Sequence, residues 1–378
     1  MSNTLTGLIP VIYKGMDIVA RERIGLISKV TLDADASMAA VGQAVRSFLT
    51  APSAAVDNTP GSYAPNSGGQ VISYNEIQIT KSKSVPVQWT GEEVRSVGGQ
   101  YEQMLANQFA QAFRTLSNLV EADLASAMTL GGSRAFGAVG TTPFATAGDL
   151  SDSAGVLKIL DDNGAPFQDL SYVANNATMA SFRGKQSVLY KVNEAGTAEL
   201  LRQGTIGNLQ GMAIGQSAAL STKHVAGTAN AAYVLNGASA VGDTTVAVKT
   251  GAGTIVAGDV VVINSVKYVV ATDLAAGSFT INKPGVQVAG ADGDAVTITA
   301  SYATDLAFHR GSTILLARQP IMPPGGDMAL DVMGITDPVS GITFQVALYR
   351  QYRQLHIEIG LAWGSKVIKP EFIALNIQ

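Results

Sequence analysis

The stretch 101-YEQMLANQFAQAFRTLSNLVEADLASAMTL-130 decides the architecture. Leu105, Phe109, Phe113, Leu116, Val120, Leu124 and Met128 recur at steps of three or four residues. This spacing lays one apolar stripe along an α-helix of about 30 residues. Neither Gly nor Pro interrupts it, and it is rich in Ala, Gln and Leu, which favour or tolerate a helix. The opposite face is polar but weakly charged, with Gln103, Asn107, Gln111, Arg114, Asn118 and Ser126. Globular helices average roughly 11–12 residues. One this long, with strand-like sequence on both sides, reads as a structural strut that carries no catalytic grouping.

On its N-terminal side the chain is strand-like from Ala40 to Trp89, around an irregular tip rich in turn residues, Asp57 to Gly61 and Pro65 to Gly69. Beyond the tip, Ile77 and Ile79 alternate with Glu76, Gln78 and Thr80, and Val85, Val87 and Trp89 alternate with Ser84, Pro86 and Gln88. Period 2 predicts a half-buried strand with Lys81 and Lys83 at its middle, and Pro86 predicts an edge position. A lone two-stranded hairpin is barely stable in water, so this one needs an external partner surface. Residues 1–30 read as a short amphipathic helix. Leu8, Ile9, Ile12, Met16 and Val19 share a face, Pro10 lies in the first turn, and Arg21-Glu22-Arg23 close it. So short a helix is marginal alone and must dock, on its own subunit or on a neighbour.

On the C-terminal side, residues 131–230 mix short strands and helices. A turn at Gly164-Ala165-Pro166 feeds a strand from Leu170 to Asn175, and Gly204 to Gly215 is a Gly-punctuated strand region. Residues 231–300 read as a separate unit. Short β-rich runs at Tyr233–Asn236, Thr244–Lys249, Asp259–Asn264, Lys267–Thr272, Ser278–Asn282 and Ala295–Thr299 are separated by Asn236-Gly237, Gly242-Asp243, Gly258-Asp259 and Asp292-Gly293. That density of short strands predicts a small barrel or sandwich inserted into a host domain. After it, Asp337 to Gly341 form a turn, and the alternations Ile342, Phe344, Val346, Leu348 and Leu355, Ile357, Ile359, Leu361 predict one long β-hairpin.

The chain has 378 residues, enough for two or three domains. Only 14% are charged, against about 25% in ordinary soluble domains. A surface of Ser, Thr, Asn, Gln and Ala suits a protein mostly covered by neighbouring subunits, although a Gly/Ala-rich β protein has the same composition. The net charge of −4 offers no basic field for nucleic acid. The absence of cysteine excludes disulfides, thiol catalysis and Cys-based metal sites. There is no signal-peptide pattern at the N-terminus, and no apolar run reaches the roughly 18 residues of a membrane span.

Motifs for chemistry are missing. No G-x-S-x-G, H-E-x-x-H or Walker A sequence is present, and the single G-x-G, Gly251 to Gly253, fits a β-turn. His224, His309 and His356 have no ligand spacing. Asp161-Asp162-Asn163-Gly164 is a turn, not a calcium loop. The expectation is a non-enzyme with no cofactor and no metal.

The order of parts resembles the major capsid (coat) protein fold of tailed bacteriophages, and more narrowly the P22-like coat proteins. The residues that carry this are Asn3 to Pro10 with Met16 to Glu22, Val41 to Ser47, Ile77 to Lys83 with Val85-Pro86 and Trp89, and Asn107 to Leu116. Beyond Leu130 the likeness is one of pattern, at Asp305 to Arg310 and Leu316 to Pro320. Gly258 to Ile263 with Val266 to Val270 resemble the central strands of the inserted domain in that group, here joined by a short turn at Asn264-Ser265.

The resemblance implies an α+β, HK97-like capsid fold. Its parts would be an N-terminal arm (1–40), an extended E-loop hairpin (41–90), the spine helix of a peripheral domain (91–130), an axial domain (131–230), an inserted β-barrel domain (231–300), a return to the axial domain (301–330) and the closing hairpin and strands of the peripheral domain (331–378). It implies self-assembly, as hexamers and pentamers, into the icosahedral head shell of a virion around double-stranded DNA contacted nonspecifically. Assembly would take place in the host cytoplasm, with a separate scaffolding protein, a portal protein and no membrane. Candidate inter-subunit contact residues are Ile12, Met16, Arg21, Arg23, Pro60, Tyr63, Lys81, Lys83 and Trp89. Lys81 or Lys83 could be cast as the lysine of an autocatalytic crosslink, with no candidate for the other groups. The rival readings are an encapsulin-type nanocompartment shell, a β-rich adhesin or tube protein and, remotely, a hydrolase.

Overall fold

A computed structural model describes residues 22–33, 38–50, 55, 60, 72–185, 207–230, 232–323, 325–337 and 340–378. The helix expected over residues 1–30 falls mainly outside these, as does the hairpin tip except Pro60. In chain order the first strands are β1 (Thr31–Asp33), β2 (Met38–Ala39), β3 (Ala44–Thr50), β4 (Ile72–Gln78) and β5 (Lys81–Thr90). Helices α1 (Gly91–Val97) and α2 (Tyr101–Leu130) follow, then β6 (Arg134–Gly137), α3 (Ser151–Asp162), β7 (Leu170–Ala174), α4 (Asn176–Lys185), β8 (Asn208–Leu209) and β9 (Met212–Gln216). The next group comprises β10 (Val234–Leu235), β11 (Thr245–Lys249), β12 (Val260–Ile263), β13 (Val266–Val269), β14 (Ser278–Thr280) and β15 (Val296–Ile298). The chain closes with β16 (Thr304–His309), β17 (Thr313–Pro320), β18 (Ala329–Thr336), β19 (Thr343–Gln351), β20 (Gln354–Val367) and β21 (Ile373–Ile377).

Helix α2 has the bounds its periodicity predicts, 30 residues from Tyr101 to Leu130. Its burial is graded along its length. Leu116, Val120, Leu124 and Met128 are fully buried, whereas Leu105, Phe109 and Phe113 are only half-buried. At roughly 2 kcal/mol per buried side chain, the C-terminal half holds the helix in place. The short helix α1 ahead of it starts with a capping box between Thr90 and Glu93, which satisfies two orphan N–H donors. At the other end, Asn282 Nδ2 donates to the Leu130 and Gly132 carbonyls, both at 2.8 Å.

Two sheets share a core with this helix. The first has seven strands, ordered β1-β17-β20-β19-β18, with β2 beside β17 and β5 beside β20. Phe113 packs against Phe344 of β19 with ring centroids 5.1 Å apart, and Trp89 meets Tyr101 edge-on at 5.2 Å. The second sheet has nine strands, ordered β15-β12-β13-β6-β21-β16-β7-β9-β8. The hairpin β19–β20 forms as the alternation predicts, and its register places Gln345 opposite Gly360 through to Gln351 opposite Gln354. Strand β18, which the sequence reading passes over, adds to β19 across the Asp337 to Gly341 turn, where Gly341 N donates to the Asp337 carbonyl at 2.8 Å.

The segment from Ile77 to Trp89 departs from the sequence reading. It is not one strand with Lys81 and Lys83 at its middle but two, broken at Ile79-Thr80, so that Lys81 begins β5. The chain changes partner there: β4 pairs with β3, whereas all of β5 pairs with β20, from Trp363 opposite Lys81 to Gln354 opposite Thr90. Gly364 makes this crossing possible, because a Cβ on it would collide with the Gln78 carbonyl. Pro86 does occupy an edge strand, since β5 pairs only with β20 among the described strands.

All six short strands expected between 231 and 300 are present; five are shortened by a residue or two, whereas β13 starts one residue before the expected Lys267 and ends at Val269, three short of Thr272. The four predicted turn glycines, Gly237, Gly242, Gly258 and Gly293, all adopt positive φ, which a Cβ disfavours. Asn264 and Ser265 form the two-residue turn of β12–β13, both with positive φ. Tyr233, Val246, Val261, Tyr268, Phe279 and Val296 belong to a hydrophobic cluster whose buried members all lie between Tyr233 and Val296. Val260 and Val269, on the other face of the same hairpin, join the main core. The unit also continues the nine-stranded sheet, with Tyr268 of β13 opposite Arg134 of β6.

Candidate interaction surface

The hairpin β3–β4 stands apart as a two-stranded sheet. Its register puts Arg46 opposite Glu76, Phe48 opposite Tyr74 and Thr50 opposite Ile72, and directly paired residues share a face. On that face Phe48 is 77% exposed, Ile72 66% and Tyr74 52%. Arg46 Nε lies 3.0 Å from Glu76 Oε1, and its guanidinium sits 4.6 Å over the Tyr74 ring. Toward the root, Ile77 and Ile79 turn inward and form a small cluster with Ala39, Leu316 and Ala362. The hairpin is anchored at its base and uncovered along its length.

Its root is tied to the spine helix. Lys81 Nζ reaches Asp123 Oδ1 at 2.6 Å, and Trp363 Nε1 donates to Asp123 Oδ2 at 2.8 Å. Two residues earlier on the helix, the buried Glu121 accepts from the Gly25, Leu26 and Ile27 amides at 2.7, 2.8 and 3.1 Å and from Ser217 Oγ at 2.7 Å. The chain entering from the N-terminal side is thereby pinned to the spine. Neither acid stands out in sequence, because each sits beside the apolar stripe, where a charged side chain is ordinarily solvated.

A second uncovered area lies at the end of the seven-stranded sheet. Met333 of β18 pairs with Val346, and Ile335 pairs with Phe344. Val346 and Phe344 are buried in the main core, whereas Leu330, Met333 and Ile335 are exposed. The apolar face of the sheet therefore runs past the cover of α2. A further cleft of about 310 Å³ lies between β5 and α2, lined by Val85 to Gln88 and by Gln108, Gln111, Ala112 and Thr115.

Of the sequence-predicted contact residues, Ile12, Met16, Arg21 and Tyr63 lie outside the described residues. Arg23, Pro60 and Lys83 are exposed, and Lys81 is half-exposed beside Asp123. Trp89 is 2% exposed, with Nε1 donating to Gln108 Oε1 at 2.7 Å, so its ring is spent inside the chain itself. The alternation with Val85 and Val87 that marked it as a strand residue marks a core face. Sequence reasoning missed Phe48, Ile72 and Tyr74. Their period-2 spacing in ISYNEIQ and next to Ser47 was the available signal.

The titratable groups are dispersed. His356 Nδ1 pairs with Gln88 Nε2 at 2.9 Å, His224 Nε2 with Asp259 Oδ1 at 2.9 Å, and His309 Nδ1 accepts from Gly311 N at 3.0 Å. No group of three or more His, Cys, Asp or Glu among the described residues is placed to hold a metal ion. Asp305 is fully buried and accepts from Tyr172 Oη at 2.9 Å and from the Asn175 amide at 2.8 Å. Loss of solvent pushes its carboxyl up to about 6, against the opposing pull of those hydrogen bonds. No helix among the described residues is long and apolar enough to cross a membrane.

No family model matches the sequence, and no curated protein matches it. In structure the chain is similar to the capsid of Cyanophage P-SCSP1u, with a TM-score of 0.54 and 12% identity over 98% of this chain and 92% of that one. It is similar to the capsid of the native GTA particle, with a TM-score of 0.50 and 10% identity over 100% and 97%. It is also similar to the bacteriophage PhiM1 mature capsid, with a TM-score of 0.50 and 9% identity over 97% and 90%. The chain has the α+β fold of phage capsid proteins, rich in strands and built along one long helix.

Proposed function

We propose that this chain is the major capsid protein of a tailed bacteriophage, assembling in many copies into the icosahedral shell that encloses double-stranded DNA. The carrying observation is a fold likeness to capsid proteins that spans almost the whole of both chains. The uncovered hairpin β3–β4 supports it, because an isolated two-stranded sheet with an aromatic face is marginal in water and gains a partner on assembly. In the HK97-like, P22-like reading, residues 1–40 are the N-terminal arm, 41–90 the E-loop hairpin and 91–130 the spine helix. Residues 131–230 with 301–330 form the axial domain, 231–300 the inserted domain and 331–378 the closing part of the peripheral domain. The arm, Arg23, Pro60, Tyr63 and Lys83 meet neighbouring copies. A separate scaffolding protein and a portal take part, DNA is contacted nonspecifically, and the shell forms in the host cytoplasm. Each contact can be weak, because a subunit held by several partners sums them.

Electron microscopy of the purified chain, alone and with its neighbouring gene products, tests this. Closed angular shells of uniform diameter are expected. A monodisperse monomer under every condition would remove the proposal. Deleting residues 58–69 is expected to leave a folded monomer that forms no closed shell, and normal shells from that deletion would remove the role given to the hairpin.

A further inference from the structure

Arg134 on β6 is 7% exposed and lines a cleft of about 550 Å³ with Lys267 of β13 and with Lys158 and Asp162 of α3. Its Nη2 donates to the Ile159 carbonyl at 3.2 Å and to Asn163 Oδ1 at 2.8 Å, and lies 3.7 Å from Asp162 Oδ2. Its Nε is buried without a hydrogen-bond partner, which adds to the cost of burying the cation. Asp162 is shared, because Lys158 Nζ sits 2.9 Å from the same oxygen. Lys267 donates to the Gly137 carbonyl and has no carboxylate within ion-pair distance among the described residues. The cleft is therefore lined by three cationic side chains and one carboxylate, Asp162, which lies near Arg134 and Lys158 but not within ion-pair distance of Lys267. Burial pushes the Lys267 ammonium below its ordinary value with nothing opposing it, and pushes the Arg134 guanidinium down against the pull of Asp162.

We propose that this cleft is an anion site that takes an oxyanion, a phosphate or a carboxylate group, between Arg134, Lys158 and Lys267. A guanidinium and two ammonium groups lining one cleft suit either oxyanion. The site joins three parts of the chain: Arg134 lies just past the spine helix, Lys158 on α3, and Lys267 in the β10–β15 unit. An occupant would clamp that unit to α3. The occupant is either a free anion or an acidic side chain of a second copy, and the two are separable by experiment.

Thermal unfolding and isothermal titration of the full chain in sodium phosphate, against sodium chloride at matched ionic strength, test the site. A saturable rise in midpoint specific to phosphate is expected. The variant Lys158→Ala, at a side chain 75% exposed and so expected to fold, should bind phosphate about tenfold more weakly, as should Lys267→Met. If phosphate also slows association of concentrated chain, a carboxylate of a second copy is the natural occupant; if association is unchanged, a free anion is. Equal midpoints in phosphate and chloride, or a Lys158→Ala variant that responds as the parent does, would overturn the site.

Discussion

The hairpin β3–β4 and the β10–β15 unit are both short-stranded additions to a helix-and-sheet frame, and they place their apolar side chains in opposite ways. In the β10–β15 unit, Val246, Val261, Tyr268 and Phe279 are each about 1% exposed or less and pack on one another. In the hairpin, Phe48, Ile72 and Tyr74 are mostly exposed on one face. Small size does not separate them, since neither has the bulk of an ordinary domain. What separates them is closure. Six strands with tight turns can curl until an apolar interior excludes water, whereas two strands cannot. The first region closes its apolar side chains within the chain, and the second leaves an apolar face open among the described residues.

The largest test of this contrast is Phe279→Ala. Removing a fully buried ring should cost about 4 kcal/mol in a denaturant titration, and a cost below about 1 kcal/mol would mean that the unit is not closed.

The next effect belongs to the frame that carries both regions. A carboxyl held near 6 in the fold and near 3.8 when exposed contributes stability that is complete below the lower value and is lost as pH rises through the upper one. For Asp305 the loss amounts to about 3 kcal/mol. Between about pH 4 and 6.5 the parent should therefore lose stability that the variant Asp305→Asn keeps, and parallel pH profiles for the two would refute this.

Smaller again is the joint between the β10–β15 unit and the spine. Asn282→Ala leaves the Leu130 and Gly132 carbonyls without that donor and should cost about 1–2 kcal/mol. Hydrogen exchange at the end of α2 should quicken, and unchanged exchange there would show that the joint lies elsewhere.

At the hairpin root, Lys81→Ala removes an ion pair whose side chains are 44% and 30% exposed. Solvent screening keeps its expected cost at or below about 1 kcal/mol, and a larger value would show that the root is drier than its exposure implies. The last expectation is nearly null. Phe48→Ala should change subunit stability by no more than about 0.5 kcal/mol while impairing assembly, and a core-sized loss in the subunit would erase the contrast.

Much of this molecule was legible residue by residue. The stripe from Leu105 to Met128 predicted α2 to both ends, and the punctuation at Gly237, Gly242, Gly258 and Gly293 separated the short strands correctly. The alternation from Ile342 to Leu361 predicted β19 and β20. The candidate surface was less legible. Trp89 read as a contact residue and is core, whereas Phe48, Ile72 and Tyr74 went unremarked and are the exposed apolar face. An alternating strand announces that it has an apolar face; it does not announce whether the same chain covers it.

The sequence alone determined α2, the short strands of the β10–β15 unit and the β19–β20 hairpin, because helix periodicity, strand alternation and turn chemistry are set by neighbours a few residues apart. Tertiary structure decided which strands pair and which apolar faces are covered. Strand β5 leaves its hairpin neighbour to pair with β20, more than 260 residues away, where His356 stands opposite Gln88. Arg134, Lys158 and Lys267 meet in one cleft only because β6 lies between β13 and β21 and under α3. Such meetings depend on the summed burial of the whole chain and on loop closures whose cost grows only slowly with length. No local window of sequence contains that sum.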